Sequence, residues 1–280
     1  MISWIGGKSR ISKWINSYIP KDTEIFIEVF GGMMWDFFKM DLDEFSKLKT
    51  VVYNDSNKLN ANLFRCVKHY DKLYNELLKY PYQQLGVKDT PIEHSEMFYK
   101  FQKEVFDTSL IIGDVPNFDI AAKYVVVVCQ IFSGSKPETA KFMNYRGKYK
   151  SKVLIFMDKL KNDKYRKHFD KITHVEGEDF EKLIKKYDSK KTYFYCDPPY
   201  FRTEHYYSNH DFGLNDHERL ANILKDMEGR FSLSYYDFPQ LSEWFPKDEY
   251  TWKSKEFKKA AAAKAGVKQN SSEELLIMNY

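Results

Sequence analysis

Asp197, Pro198 and Tyr200 lie in Tyr193-Phe194-Tyr195-Cys196-Asp197-Pro198-Pro199-Tyr200, a stretch whose composition leaves it little conformational choice. Its first four residues read as a short buried strand, and the two prolines, with fixed φ and no ladder donor, end that strand at Asp197. The following backbone stays extended. A carboxylate, a carbonyl that no helix can recruit and an aromatic ring are therefore presented together at a strand's carboxyl end. An exocyclic amine on a planar base needs such a set: its lone pair is delocalised until two acceptors hold its hydrogens. Asp197 and the Pro198 carbonyl supply two acceptors, and Tyr200 supplies a ring on which a base removed from its helix can stack. A strand closed by a Pro-Pro turn with a capping aspartate is the simpler alternative, and the tripeptide alone does not separate the two.

Open α/β sheets hold their sites at the carboxyl ends of strands, so the neighbouring elements matter. Glu24 to Val29 is expected to be a strand, with Phe30-Gly31-Gly32 turning into a helix near Met33 and glycines allowing close approach of a nucleoside. Val51 to Tyr53 is the next strand. Its polar tip, Asn54-Asp55, offers a carboxylate for ribose hydroxyls or a cap for a helix from about Lys58 to Leu78. Before these, Trp4 to Lys8 is a loop entering an amphipathic helix, with Ile11, Trp14, Ile15 and Tyr18 on one face and Pro20 ending it. Gly7-Lys8-Ser9 is not a phosphate loop, because Ile2 stands where that pattern needs glycine and no strand fits before it.

Beyond the middle of the chain, Ile172 to Val175 reads as a strand and Asp179 to Lys186 as a helix ahead of the catalytic strand. Phe201 to Phe212 is a loop rich in Tyr, His and Asn. Asn215-Asp216-His217-Glu218 forms a capping box for a helix to Met227, followed by strands at Phe231 to Tyr235 and Glu274 to Tyr280. Lys255 to Asn270 is either a short helix or a flexible loop. His205, His210 and His217 are spaced five and seven apart, poor for ligands on one element, and no metal is expected.

Residues 65 to 165 change character to helices and loops. Thr90-Pro91 opens a helix carrying Met97, Phe98, Phe101, Val105 and Phe106, and Asp119 to Phe132 makes another. The overall charge is +4, yet Lys136 to Lys171 carries twelve Lys or Arg against four acids, a net of +8 that leaves −4 elsewhere. A polyanion suits such a segment, although a solvated lysine-rich face has the same composition. Within it, Gln130 to Lys152 alternates glycine, amide, aromatic and basic residues. Lys136, Lys141 and Lys150 can meet phosphates there, and Asn144 or Arg146 base edges. Aromatics are 17%, no apolar run reaches the roughly 20 residues of a membrane span, and three cysteines of unrelated spacing suggest neither disulfides nor zinc. A reducing cytoplasm is expected.

Asp-Pro-Pro-Tyr at 197–200, with Trp4-Ile5-Gly6-Gly7-Lys8 and Glu28-Val29-Phe30-Gly31-Gly32, resembles the DNA adenine methylase (Dam-like) family over nearly the whole chain and in the family's motif order. The resemblance implies an α/β fold: a doubly wound mixed sheet of the S-adenosylmethionine-dependent methyltransferase type, carrying an inserted, mostly helical DNA-recognition domain. Residues 1–62 and 166–280 would form the catalytic domain and 63–165 the recognition domain. It implies S-adenosylmethionine as donor, held by residues matching Trp4, Gly7, Lys8, Glu28, Phe30, Gly32, Asp55 and Asp197, with no metal. Catalysis falls to Asp197, Pro198 and Tyr200 on an adenine flipped from duplex DNA. DNA contacts are expected from Lys136, Asn144, Arg146, Lys148 and Lys150, in a monomer or weak dimer of a prokaryotic or phage-infected cytoplasm, in a restriction-modification setting. The chain departs from the family at Met34, where a further glycine is expected, and at bulky Trp35. Two other readings stay open: a methyl acceptor such as cytosine N4 or RNA adenine, and a DNA-binding protein with a decayed donor site.

Overall fold

A computed structural model describes Ile2 and residues 7–80, 92–131, 135–143, 151–201, 212–258 and 271–280. In chain order the elements begin with α1 (Ser12–Asn16), β1 (Ile25–Glu28), α2 (Trp35–Lys39), β2 (Thr50–Asn54), α3 (Lys58–Val67) and α4 (Tyr70–Leu77). They continue with α5 (Ile92–Thr108), α6 (Phe118–Cys129), α7 (Lys152–Lys161), α8 (Asp163–Lys171), β3 (His174–Glu176), α9 (Phe180–Tyr187) and β4 (Thr192–Cys196). The last are α10 (Leu214–Asp226), β5 (Arg230–Tyr235), α11 (Pro239–Trp244), β6 (Thr251–Lys258) and β7 (Ser271–Met278). The chain divides into two compact units, one of Lys8–Ser56 with Glu176–Tyr280, the other of Met1–Gly7 with Asn57–Val175.

Among the described residues the sheet runs β3-β2-β1-β4-β5-β7-β6. β1 is parallel to both β2 and β4, and β4 is parallel to β5. β7 enters antiparallel to β5 and pairs with β6 as the edge. This is the doubly wound mixed sheet expected of the methyltransferase type. Its order reverses at β1, so helical connections leave β1 and β4 in opposite directions and open a crevice at their carboxyl ends. Glu28 pairs with Tyr195 there, and the Val29 amide donates to the Tyr195 carbonyl at 3.0 Å.

The period-2 alternation of strands decides what faces that crevice. Ile27, Phe194, Cys196, Leu233, Tyr235 and Ile277 point to one face, packed on Phe180, Leu183 and Ile184 of α9, Leu220 and Leu224 of α10, and Leu241 of α11. Phe26, Tyr193 and Tyr195 point to the other. There Phe26 meets Phe37 of α2 and Tyr193, with centroids at 5.8 and 5.7 Å, and Tyr195 exchanges a 3.0 Å hydrogen bond with Ser234. Glu28, in phase with Phe26, and Glu274, in phase with Leu276 opposite Ser234, share this second face.

The other unit is helical. Asn57 caps α3 by accepting from the Leu59 and Asn60 amides, Asn117 caps α6, Ser151 caps α7 and Asn162 caps α8. α6 is buried on nearly every side, and the polar groups it meets are paired: Tyr124 donates to Asn60 at 2.9 Å, and Asn62 exchanges bonds with the Asn117 backbone at 2.8 and 2.9 Å.

Several local expectations need correction. The helix expected from Lys58 to Leu78 is two, because His69, at φ −117° and ψ 53°, leaves helical backbone between α3 and α4. The cap expected to open at Asn215 falls at Gly213, which has no side chain to complete a capping box: only its amide bonds, donating to Asp216 Oδ2 at 3.0 Å. Lys255 to Lys258, expected as helix or loop, belong to β6 and pair with β7.

Candidate active site

Asp197 follows β4 and inherits the parity of Tyr193 and Tyr195, so it faces Glu28 and Glu274 across the crevice. Lys8, just before α1, completes the cluster: its Nζ is 2.9 Å from Asp197 Oδ1, 3.3 Å from Glu274 Oε1 and 4.6 Å from the Tyr200 ring centroid. The Tyr200 hydroxyl donates to Glu274 Oε1. Tyr200 itself is buried, edge-on to Tyr236 at 4.6 Å and tilted against Tyr235 at 5.4 Å. The aspartate, the ring and a lysine from the far end of the sequence thus meet within one hydrogen-bonded group.

Burial dominates the electrostatics here. It pushes Glu28 well above the usual carboxylate range, helped by the charges of Asp36 and Asp197 and opposed by the Phe37 amide, which donates to Glu28 Oε1 at 2.9 Å. Asp36, on α2, is raised to about 7 by burial and then by Asp197, with Ser12 and Lys8 pulling it down. Asp197 and Glu274 are also raised by burial, and for both the nearby Lys8 ammonium is the largest opposing influence. Burial likewise holds the Tyr200 phenol protonated, which fits its role as the donor to Glu274.

The turn after β1 is tight. The Gly31 amide donates to the Asn54 carbonyl at 2.7 Å, and a Cβ on Gly31 would stand 2.4 Å from Tyr53 Cε2 and 2.8 Å from that carbonyl. Glycine at 31 therefore admits Tyr53 and β2 rather than a ligand. Gly32 takes φ 47°, where glycine is unstrained, and its amide donates to Asp55 Oδ2 at 2.9 Å. Met34, buried, takes φ 52° and accepts the left-handed conformation that the missing glycine would have supplied. The unusual residue changes the strain of the loop and leaves its Asp55 contact made. Asn54 locks the same corner, donating to the Val29 and Glu178 carbonyls at 2.8 and 3.1 Å and accepting from the Glu178 amide at 2.9 Å. Beside it Phe30, Phe180 and Phe212 form an aromatic wall with centroids 5.7 to 5.9 Å apart.

Of the expected donor-binding residues, the structure gathers Lys8, Glu28, Phe30, Gly32, Asp55 and Asp197 around the carboxyl ends of β1, β2 and β4. Gly7 is exposed, and Trp4 lies outside the described residues. Asn144, Arg146, Lys148 and Lys150 also lie outside them, as do His205 and His210. Lys136 is half-buried, its carbonyl accepting from the Thr139 and Ala140 amides. His217 is buried, its Nδ1 2.5 Å from the Tyr235 hydroxyl, in a sheath of Phe201, Phe212 and Phe238. Asp36 and Glu274 were not expected in the site. Asp36 is a lone acid inside the apolar run Met33 to Phe38, where an ionised group needs a reason, whereas Glu274, second of the pair Glu273-Glu274 at the edge of Leu275 to Met278, carried no such signal.

Comparison with known proteins gives the family. The family model described as D12 class N6 adenine-specific DNA methyltransferase matches residues 4–261. A type II methyltransferase, M.CviBI of Paramecium bursaria Chlorella virus NC1A, is 22% identical over 289 residues, covering 100% of this chain and 99% of its own.

Proposed function

Because the chain belongs to the D12 class N6 adenine-specific DNA methyltransferase family, we propose that it moves a methyl group from S-adenosylmethionine to the N6 amine of an adenine turned out of duplex DNA. The observation that carries this reading is the convergence of Asp197, Tyr200 and Lys8 at the sheet's switch point, beside a turn whose amide and carboxylate tip are preserved. The residues suit the donor: Lys8 for a carboxylate, Asp55 for ribose hydroxyls, and Phe30, Phe180 and Phe212 for an adenine ring. When bound, the donor supplies an electrophilic methyl whose sulfur leaves as a neutral thioether.

Asp197 and the Pro198 carbonyl accept the two N6 hydrogens, which frees the nitrogen lone pair for in-line attack. To do so, Asp197 must exchange its bond to Lys8 for one to the base. Tyr200 supports the base plane, held in place by Glu274 and by Tyr235 and Tyr236. The N–C bond forms as the C–S bond breaks, and the surplus N6 proton passes to Asp197 or water. Met34 does not force a decayed site, since the loop keeps its Asp55 contact.

The helical unit, Met1–Gly7 with Asn57–Val175, is the part we assign to DNA recognition, through the basic stretch around Lys136 to Lys171. The viral relative's type II name supports modification of a defined site, in the setting of a restriction partner. Among the described residues no helix is long and apolar enough to cross a membrane. On the family's setting rather than on that absence, we propose a monomer or weak dimer in a prokaryotic or phage-infected cytoplasm.

The test is methyl transfer from labelled S-adenosylmethionine to unmethylated genomic DNA, read by nucleoside mass spectrometry and by sequencing the modified positions. N6-methyladenine at one motif is the expected product. N4-methylcytosine, label only in RNA, or no label at all would each reject the assignment.

A further inference from the structure

Two buried acids are only partly used by the reaction above: Glu274 holds the Tyr200 hydroxyl through one oxygen, and Asp36 has no task in it. Asp36 is 3% exposed and Glu274 0%, and each has a carboxylate oxygen, Asp36 Oδ1 and Glu274 Oε2, buried without a hydrogen-bond partner. Both lie at the Lys8–Asp197 ion pair: Glu274 Oε1 makes a second pair with Lys8 Nζ at 3.3 Å, and Asp36 is close enough to Asp197 and Lys8 to feel both charges. An unpartnered carboxylate oxygen in a buried site is costly unless a cation or donor arrives. Lys8 is shared between Asp197 and Glu274, so with both ionised the trio carries a net negative charge, and Asp36 adds to it once it gives up its proton.

Resting on the donor reading above, we infer that Asp36 and Glu274 make the crevice a receptor for positive charge, favouring the sulfonium donor over the neutral thioether it becomes. S-adenosylmethionine carries an ammonium, a carboxylate and a sulfonium, a net single positive charge. S-adenosylhomocysteine has lost the sulfonium and is neutral overall. The charge difference between donor and product thus matches the surplus of the trio, and methyl transfer itself removes the attraction. Product release is favoured without any rearrangement of the fold.

A second consequence follows from the proton on Asp36. The groups facing it are Lys8 and Ser12 at the start of α1, Glu28 on β1, Asp197 after β4 and Glu274 on β7. Burial and the Asp197 charge hold Asp36 protonated up to about 7. A positive ligand lowers that value and expels the proton; a neutral one does so less. Burial raises Glu28, Asp197 and Glu274 as well, so the released protons report the whole acidic cluster, and Asp36→Asn isolates the share that belongs to Asp36.

Calorimetric titration of the whole chain with S-adenosylmethionine and with S-adenosylhomocysteine, near neutral pH and in buffers of different ionisation enthalpy, tests this. In the wild type, the charged ligand is expected to release more protons than the neutral one, and equal release overturns the inference. In Asp36→Asn and Glu274→Gln, the ratio of the two affinities is expected to shift about tenfold against S-adenosylmethionine, one pK unit's worth. Equal loss of both ligands, or no change in either, overturns it. Where a variant does not fold, the wild-type proton count decides. Wild-type protein that binds neither ligand rejects the donor reading instead.

Discussion

Lys8 Nζ stands 2.9 Å from Asp197 Oδ1, a bond between a residue that opens the first helix and one that follows the fourth strand. The acceptor assigned to the base is thus already in use. Lys8 stabilises the aspartate as an anion against the burial that raises it, and at the same time it stands over the Tyr200 ring. Accepting a base requires Lys8 to transfer its bonds to another anion, for which a methionine carboxylate is suited.

Asp197→Ala is expected to lower methyl transfer by about a thousandfold or more, the scale of losing a group that positions charge in a transition state. DNA affinity, measured by anisotropy on a labelled duplex, should stay within about threefold of wild type, because phosphate contacts dominate it. Full activity in the variant would remove Asp197 from the reaction.

Asp55→Ala is expected to weaken donor binding by about tenfold, the worth of one hydrogen bond to a charged acceptor. Part of that loss arises in the protein, since the Gly32 amide loses its 2.9 Å acceptor and the φ 47° turn is less firmly held. Calorimetry checks it. Unchanged affinity would mean that Asp55 serves only the turn.

Gly31→Ala is expected to destabilise the protein by about 1 to 3 kcal/mol, the usual cost of overpacking. The added carbon would collide with the Tyr53 ring at 2.4 Å and the Asn54 carbonyl at 2.8 Å, neither of which is the free end of a flexible chain. Met34→Gly should also lose stability: relief of roughly 1 to 2 kcal/mol of left-handed strain is countered by about 1.5 to 3 kcal/mol of lost burial. Urea unfolding measures both. A stabilised Met34→Gly would show that strain outweighs packing there.

The strand motif and its turn were legible in the sequence because the physics is local: prolines end β4 at Asp197, and two glycines turn the chain after β1. Lys8 and Asp55 became visible through family motifs. Asp36 and Glu274 were not legible, because their importance depends on which strand lies beside which. Only the order β1-β4-β5-β7, with the Ser234–Leu276 register, brings Glu274 onto the face of Glu28 and Asp197. The charged strand β6 was missed for a related reason: its pattern is weak and its partner, β7, supplies the pairing.

The stability of Asp36→Asn should differ from wild type in a pH-dependent way. The folded protein holds the Asp36 proton up to about 7, whereas the unfolded chain releases it near the ordinary value of 3.8. Between those limits the native state binds more protons, so the contribution of Asp36 to stability is complete below pH 3.8 and declines as pH rises through about 7. Removing the carboxyl removes that slope. Asp36→Asn should therefore gain on wild type by roughly 2 to 3 kcal/mol between pH 5 and 8, most of it below pH 7, seen in denaturant melts across the range. A constant difference at every pH would remove Asp36 as the titrating group.

Tyr200→Phe separates the ring from its hydroxyl. The ring, wedged by Tyr235 and Tyr236, remains to support a base, but Glu274 loses its phenolic donor and is left with Lys8. Glu274 should then draw Lys8 more strongly, loosening its bond to Asp197. The variant is expected to lose about 1 to 3 kcal/mol of stability, the cost of an unsatisfied buried acceptor, and to keep most of its ability to turn out the target base. Tyr200→Ala removes the platform as well and should cost about tenfold or more further in kcat, given that a base on an aromatic face is worth about 1 to 3 kcal/mol. Fluorescence of 2-aminopurine at the target position reads the turned-out base directly, while kcat reads the chemistry. If Tyr200→Phe and Tyr200→Ala lost the fluorescence signal equally, the hydroxyl and its bond to Glu274 would be what holds the base site open, and stacking would play no part.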